Sequence, residues 1–151
     1  MSEAKRIADL HRRAYEGDSW HGPHVFEVLD GVDASRASRK PIESAHSIWE
    51  IVLHIRVEEE IVLRLLEGGR VQQPTQEQDW PPAAAGETAW RSALAALRET
   101  HDQLNRTIAA LEDAKLEVVP PGGRRSFYQL AHGAVHHALY HAGQIAILKK
   151  G

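Results

Sequence analysis

The chain has 151 residues, enough for one domain over residues 1–151, and its 42% hydrophobic and 26% charged residues are the balance of a soluble globular protein. It has no cysteine, which excludes disulfides, zinc–thiolate sites and cysteine nucleophiles, and its net charge of -3 with no basic block lacks the footprint of a nucleic-acid binder. No apolar run approaches the roughly 20 residues that cross a bilayer, and the charged start MSEAKRIADLHRR has no apolar signal core, so no membrane partner is expected and the cytoplasm is the expected compartment.

Four helical stretches without strand signals predict an all-α four-helix bundle. The first covers residues 3–29 and is interrupted at 17–23, where GDSWHGP carries the breakers; Pro23 suits the first turn of a second half-helix. The second covers residues 44–67 and stops at Gly68 and Gly69. The third covers residues 87–113, with Trp90, Leu94, Leu97, His101, Leu104, Ile108 and Leu111 at three-four spacing. The fourth starts at Ser126 as N-cap and runs to Lys149, where Lys149 and Lys150 suit the negative end of the dipole. Residues 30–43, 68–86 and 114–125 read as loops, two of them with proline pairs, and loops of this length in a small bundle often cover a site. Trp20, Trp49 and Trp90 read as packing anchors.

Ten histidines are the unusual feature of the composition. A helix turns about 100° per residue. Counted from His141, His137 and the apolar Leu130, Ala134, Ile145 and Leu148 fall within about 40°, whereas His132 lies about 180° and His136 about 140° away. His137 and His141 therefore form an inward H-x-x-x-H pair, and His132 and His136 an outward one that faces solvent or a partner. Side chains at i and i+4 stack along one face, so two imidazoles converge on one ion. Zinc and its neighbours take neutral imidazole at about 2.0–2.1 Å. Two ligands from one helix require a third from elsewhere.

His54 supplies it, at the edge of the buried side that Ile48, Ile51, Ile55 and Val62 define on the second helix. Glu58, one turn further, points inward; it orients a ligand histidine, reaches the metal, acts as a base, or pairs with Arg56 or Arg91. His101 holds a core position of the third helix, where it either lines the same cavity or serves as a plain core residue. His46 ranks below His54, and His21 and His24 flank the first break within reach of a site rim. Other templates fit worse. H-E-x-x-H, a Gly-rich phosphate loop and G-x-S-x-G are absent, and Glu43-x-x-His46 is one E-x-x-H where a di-iron bundle needs two.

The stretch HSIWEIVLHI (residues 46–55), followed far downstream by HHALYHAGQIAILKK (136–150), resembles the DinB/YfiT-like superfamily, and SWHGPHVFEVLDGV is similar to that family's first-helix region. The resemblance covers nearly the whole chain. It implies an up-down-down-up four-helix bundle, commonly a homodimer, with metal ligands at His54, His137 and His141, the three that periodicity selects. It also implies zinc, nickel or another divalent ion with a coordination position left open. Some relatives are thiol-dependent S-transferases or isomerases using mycothiol, bacillithiol or glutathione; others are hydrolases. Where some relatives carry Glu at the position of His137, this chain has His, so its site is neutral before the metal binds.

Two functions follow as expectations. The first is a metal-dependent enzyme on a small-molecule substrate, with the metal as Lewis acid. In its S-transferase version Arg124 and Arg125, just ahead of the fourth helix, bind a carboxylate of a low-molecular-weight thiol, unless they belong to a solvated loop. In its hydrolase version Glu58 or His101 manages protons. The second is a non-catalytic bundle in which the metal staples the second and fourth helices; a structural site of that kind is closed by four protein ligands, and three strong candidates favour an open one.

Overall fold

Two serines decide where the site-bearing helices begin. In the computed structural model, which describes all of residues 1–151, α1 (Glu3–Tyr15), α2 (Val25–Leu29), α3 (Ala34–Ser38), α4 (Ile48–Leu66), α5 (Gln76–Asp79), α6 (Glu87–Ala110) and α7 (Phe127–Leu148) follow one another, with one 3-10 turn at Asp113–Lys115 and no strand. Ser47 caps α4: its hydroxyl accepts from the Glu50 N–H at 3.2 Å, and the Glu50 carboxylate accepts from the Ser47 N–H at 2.7 Å. This box starts the helix after Ser47 rather than at residue 44 and leaves His46 ahead of it. Ser126 and Gln129 make the same box on α7, where the sequence placed it. At the far end of α4, Gly68 takes a left-handed φ of 83°, and the Gly69 N–H returns to the Arg64 carbonyl at 2.8 Å.

Short elements depart most from the sequence reading. The supposed loops 30–43 and 68–86 contain α3, started by the Asp33 side chain, and α5, started by a Thr75–Gln78 box. Helices of four and five residues are too short to show a period. The third helix ends at Ala110, not at residue 113; instead the Asp113 carboxylate accepts from the N–H groups of Glu3 and Ala4, both at 3.0 Å, at the positive end of α1. Trp20 is fully exposed in the break between α1 and α2 and anchors nothing, whereas Trp49 and Trp90 are buried with ring centroids 5.3 Å apart.

α1 and α4 each pack between α6 and α7, so the four long helices form a ring with α1 and α4 on one diagonal. The core has two clusters. One takes Tyr15, Ile48 to Ile55, Trp90, Leu97 and Val135 to Leu148; the other takes Ala4, Ile7, Val62 to Leu66, Leu104, Ile108 and Phe127 to Ala134. α4 and α6 thus run from the first cluster to the second, and α1 and α7 run the other way. Because α4 and α6 run in the same direction, the chain between them must travel back along α4, about 28 Å at 1.5 Å per residue. That return carries α5 and Trp80 across the outside of α4.

Candidate metal centre

His54 of α4 and His137 and His141 of α7 meet where those two helices pack. His137 Nε2 lies 3.0 Å from His54 Nε2 and 3.0 Å from His141 Nε2. The outer two rings are held from behind. His54 Nδ1 donates to the Asp79 carbonyl at 2.8 Å, with an Asp79 carboxylate oxygen 3.0 Å away, and His141 Nδ1 donates to Gln144 Oε1 at 2.6 Å. A neutral imidazole has one N–H. With Nδ1 protonated on both rings, each Nε2 presents a lone pair to the same point. Burial, with the neighbouring histidine charges beside it, lowers His137 to about 3; burial is also the main cause that lowers His141 to about 4. Both stay neutral at neutral pH. Three converging imidazole nitrogens, two of them on rings with an oriented Nδ1–H, are the donor set that zinc or nickel takes. The residues fit a divalent metal.

Aromatic rings close one side. Trp80, at the C-terminal end of α5, stacks on His54 at 3.8 Å and 8°, and His46 stacks on the other face of Trp80 at 3.6 Å and 9°. His46 is therefore part of the surround, one ring removed from the site. On another side lies a cavity of about 840 Å³ lined by Glu58, Gln129, His137, Arg124, Arg125 and the segment around Pro120–Gly123. Both arginines of the sequence reading face it. Glu58 is half-buried on its wall; burial and the adjacent Asp79 carboxylate raise its pKa to about 7, and Arg125 partly opposes them. Its expected arginine partners pair elsewhere, Arg56 with Glu60 at 3.5 Å and Arg91 with Glu87 at 3.2 Å.

The other histidines separate. His101 does not line this cavity; it lies in the core against His11 and Tyr15. His24 caps α2 through Nδ1, and His21 is exposed. His136 faces solvent as counted, but His132 is half-buried, its ring packed against that of Tyr128 one turn earlier on the same helix with centroids 4.4 Å apart. Three contributing residues had no role in the sequence reading. Gln144 sits three residues after His141 and was visible as part of H-x-G-Q. Asp79 and Trp80 lie 25 and 26 residues from His54, and no local signal connects them.

No curated protein and no solved structure matches the chain. A family model described as DinB superfamily matches residues 20–145, a span that takes in His54, Glu58, the arginine pair and both inward α7 histidines. Helical architecture, the order of the histidine motifs and this match agree: the chain belongs to the DinB superfamily.

Proposed function

We propose that the protein is a divalent-metal-dependent enzyme, with zinc or nickel as its metal, and that it acts on a small anionic molecule by thiol-dependent S-transfer. The observation that carries this reading is the convergence of three Nε2 atoms, two of them with tautomers set by Asp79 and Gln144. Three protein donors leave a position open, which supports a reactive site over a structural one. When bound there, the metal supplies a Lewis acid that lowers the pKa of a thiol or a water.

The chain's own residues supply the rest. Arg124 and Arg125 line the cavity ahead of the α7 N-terminus, which supports their holding a carboxylate by paired N–H donors. Glu58 lines the same cavity and, with a pKa of about 7, takes and returns a proton at neutral pH. The cavity volume suits a small-molecule ligand. Glu58 also favours a second reading, metal-dependent hydrolysis, because the same carboxylate activates water equally well.

A thermal-shift panel of mycothiol, bacillithiol and glutathione on the metal-loaded protein separates these. Stabilisation by one thiol, lost in Arg124→Ala/Arg125→Ala, is the expected result. No stabilisation by any thiol, together with turnover of a generic ester or amide, replaces S-transfer by hydrolysis. Neither response leaves a non-catalytic metal-binding bundle.

A further inference from the structure

A second polar cluster lies in the core, apart from the three-histidine site. His11 of α1, Glu59 of α4 and His101 of α6 are 0%, 2% and 1% exposed, and one ligand atom from each lies within 4.8 Å of the others. Tyr15, one turn beyond His11, is fully buried and stacks on the His101 ring at 3.9 Å. One part of the cluster is satisfied. Asn105 Nδ2 donates to the Ala8 carbonyl at 2.6 Å, which fixes its amide, and faces His11 Nδ1 at 3.3 Å. His11 Nδ1 is therefore an acceptor, and His11 donates its Nε2–H to Glu59 Oε1 at 2.8 Å.

The rest is not satisfied. Glu59 Oε2, His101 Nδ1 and Tyr15 Oη are buried and make no hydrogen bond of ordinary geometry; the Tyr15 hydroxyl faces the Glu59 carboxylate, and burial together with that charge holds it well above its ordinary pKa. Glu59 pairs with no lysine or arginine, only with His11. Native cores rarely leave such atoms unpaired, and a buried carboxylate is strongly disfavoured unless a cation or a full set of donors joins it. A buried carboxylate, a facing phenol and an unpartnered imidazole nitrogen, brought together from three helices, describe a cation site.

We infer that a second divalent metal ion binds in this cluster, held by the Glu59 carboxylate and the His101 ring, with the Tyr15 hydroxyl as a further oxygen donor and His11 fixing the orientation of the carboxylate. Mixed nitrogen and oxygen donors suit zinc, cobalt and their neighbours. His11 stands to Glu59 as an outer-shell residue stands to a ligand. Glu59 also lines the wall of the cavity beside His137. Bound there, the ion ties α1, α4 and α6 together at the bundle centre, whereas the three-histidine site ties only α4 to α7. The two sites share no ligand, so each stands or falls alone.

The test counts metal with Co²⁺ or Zn²⁺ as the only probe. Chelator-stripped wild-type protein is expected to bind two equivalents by equilibrium dialysis. His137→Ala/His141→Ala is expected to keep one equivalent, and adding Glu59→Gln or His101→Phe to that variant is expected to abolish it, with helical content checked by circular dichroism. Should the added substitutions unfold the chain, histidine-ring ¹⁵N spectra of folded His137→Ala/His141→Ala with Zn²⁺ decide, because a ligating His101 ring must shift. One equivalent in wild type that vanishes in His137→Ala/His141→Ala overturns the second site and leaves the first standing. One equivalent that survives in His137→Ala/His141→Ala and is lost with His101→Phe does the reverse. A His101 ring spectrum unmoved by Zn²⁺ overturns the second site as well.

Discussion

Gln144 and Asp79 orient their histidines by different atoms, and the difference is measurable. His141 Nδ1 depends on the Gln144 side chain alone, whereas His54 Nδ1 bonds a backbone carbonyl that no substitution of Asp79 removes. Loss of an outer-shell partner costs about 10–100-fold in metal affinity. Gln144→Ala is expected to show that loss in competition with a chromophoric chelator, and Asp79→Ala a much smaller one. Equal losses would show that the Asp79 carboxylate, 3.0 Å from the ring, does the orienting instead. Glu58 carries a pH signature of its own. Its folded pKa of about 7 exceeds its usual 4.5, so the native state binds more protons than the unfolded chain between those values. Its contribution to stability therefore falls as pH rises through that window. Because the group is only half-buried, solvent screening reduces the effect to on the order of 1 kcal/mol. Urea denaturation of metal-free Glu58→Gln beside wild type, at both ends of the window, is expected to recover that difference.

At the scale of elements, the two serine boxes make a controlled pair. Ser47→Ala and Ser126→Ala each remove a cap and are expected to cost about 1 kcal/mol in chemical denaturation. Ser126 adjoins Arg125 on the cavity rim, so its loss should also weaken binding of an anionic ligand, whereas loss of Ser47 should not. A stability cost with unchanged ligand affinity in both would detach the α7 N-terminus from the site. The short α5 matters out of proportion to its four residues. It places Trp80 flat against His54, and through Asp79 it sets the tautomer of that ring. Nickel binding is expected to quench Trp80 fluorescence, and Trp80→Phe to remove the quenching while metal still binds. Undiminished quenching in the variant would assign the signal to another tryptophan.

The whole molecule responds to acid through its buried imidazoles. Burial lowers His101 and His137 to about 3 and His141 to about 4, against an ordinary value of 6.5. Between those values the unfolded chain binds more protons than the native one, so stability falls as pH drops below about 6.5 and continues to fall toward about 4. Glu58 works in the opposite sense across part of that range, but one half-buried carboxyl opposes three rings, of which His101 and His141 are buried and His137 half-buried. Metal-free protein is therefore expected to melt at lower temperature at about pH 5 than at about pH 7. Bound metal should raise the melting temperature at neutral pH and steepen the loss in acid, because protons and metal compete for the same nitrogens. A melting temperature that is flat across this window would contradict the burial of those rings.

Periodicity alone determined much of this protein. Four amphipathic stretches, the cap at Ser126, the glycine stop after Leu66 and the inward pair His137 and His141 all follow from local rules: a 3.6-residue turn, the chemistry of helix ends and the i, i+4 face. His54 as third ligand candidate was legible for the same reason, whereas Arg124 and Arg125 entered only as carboxylate binders for a thiol, with a solvated loop as the alternative, and it took the fold to put them on a cavity wall. What depended on contacts between distant segments was not legible. Only the tertiary structure sent the connection between α4 and α6 back over His54, bringing Asp79 and Trp80 to a ring 25 residues away. Only packing decided between the two readings of His101, cavity lining or core, and set it beside His11 and Glu59, because a core position says that a side chain is buried but not which neighbours bury it. The three histidines were written into the helical period, whereas the groups that set their tautomers, and the second cluster behind them, were decided by how four helices close on one another.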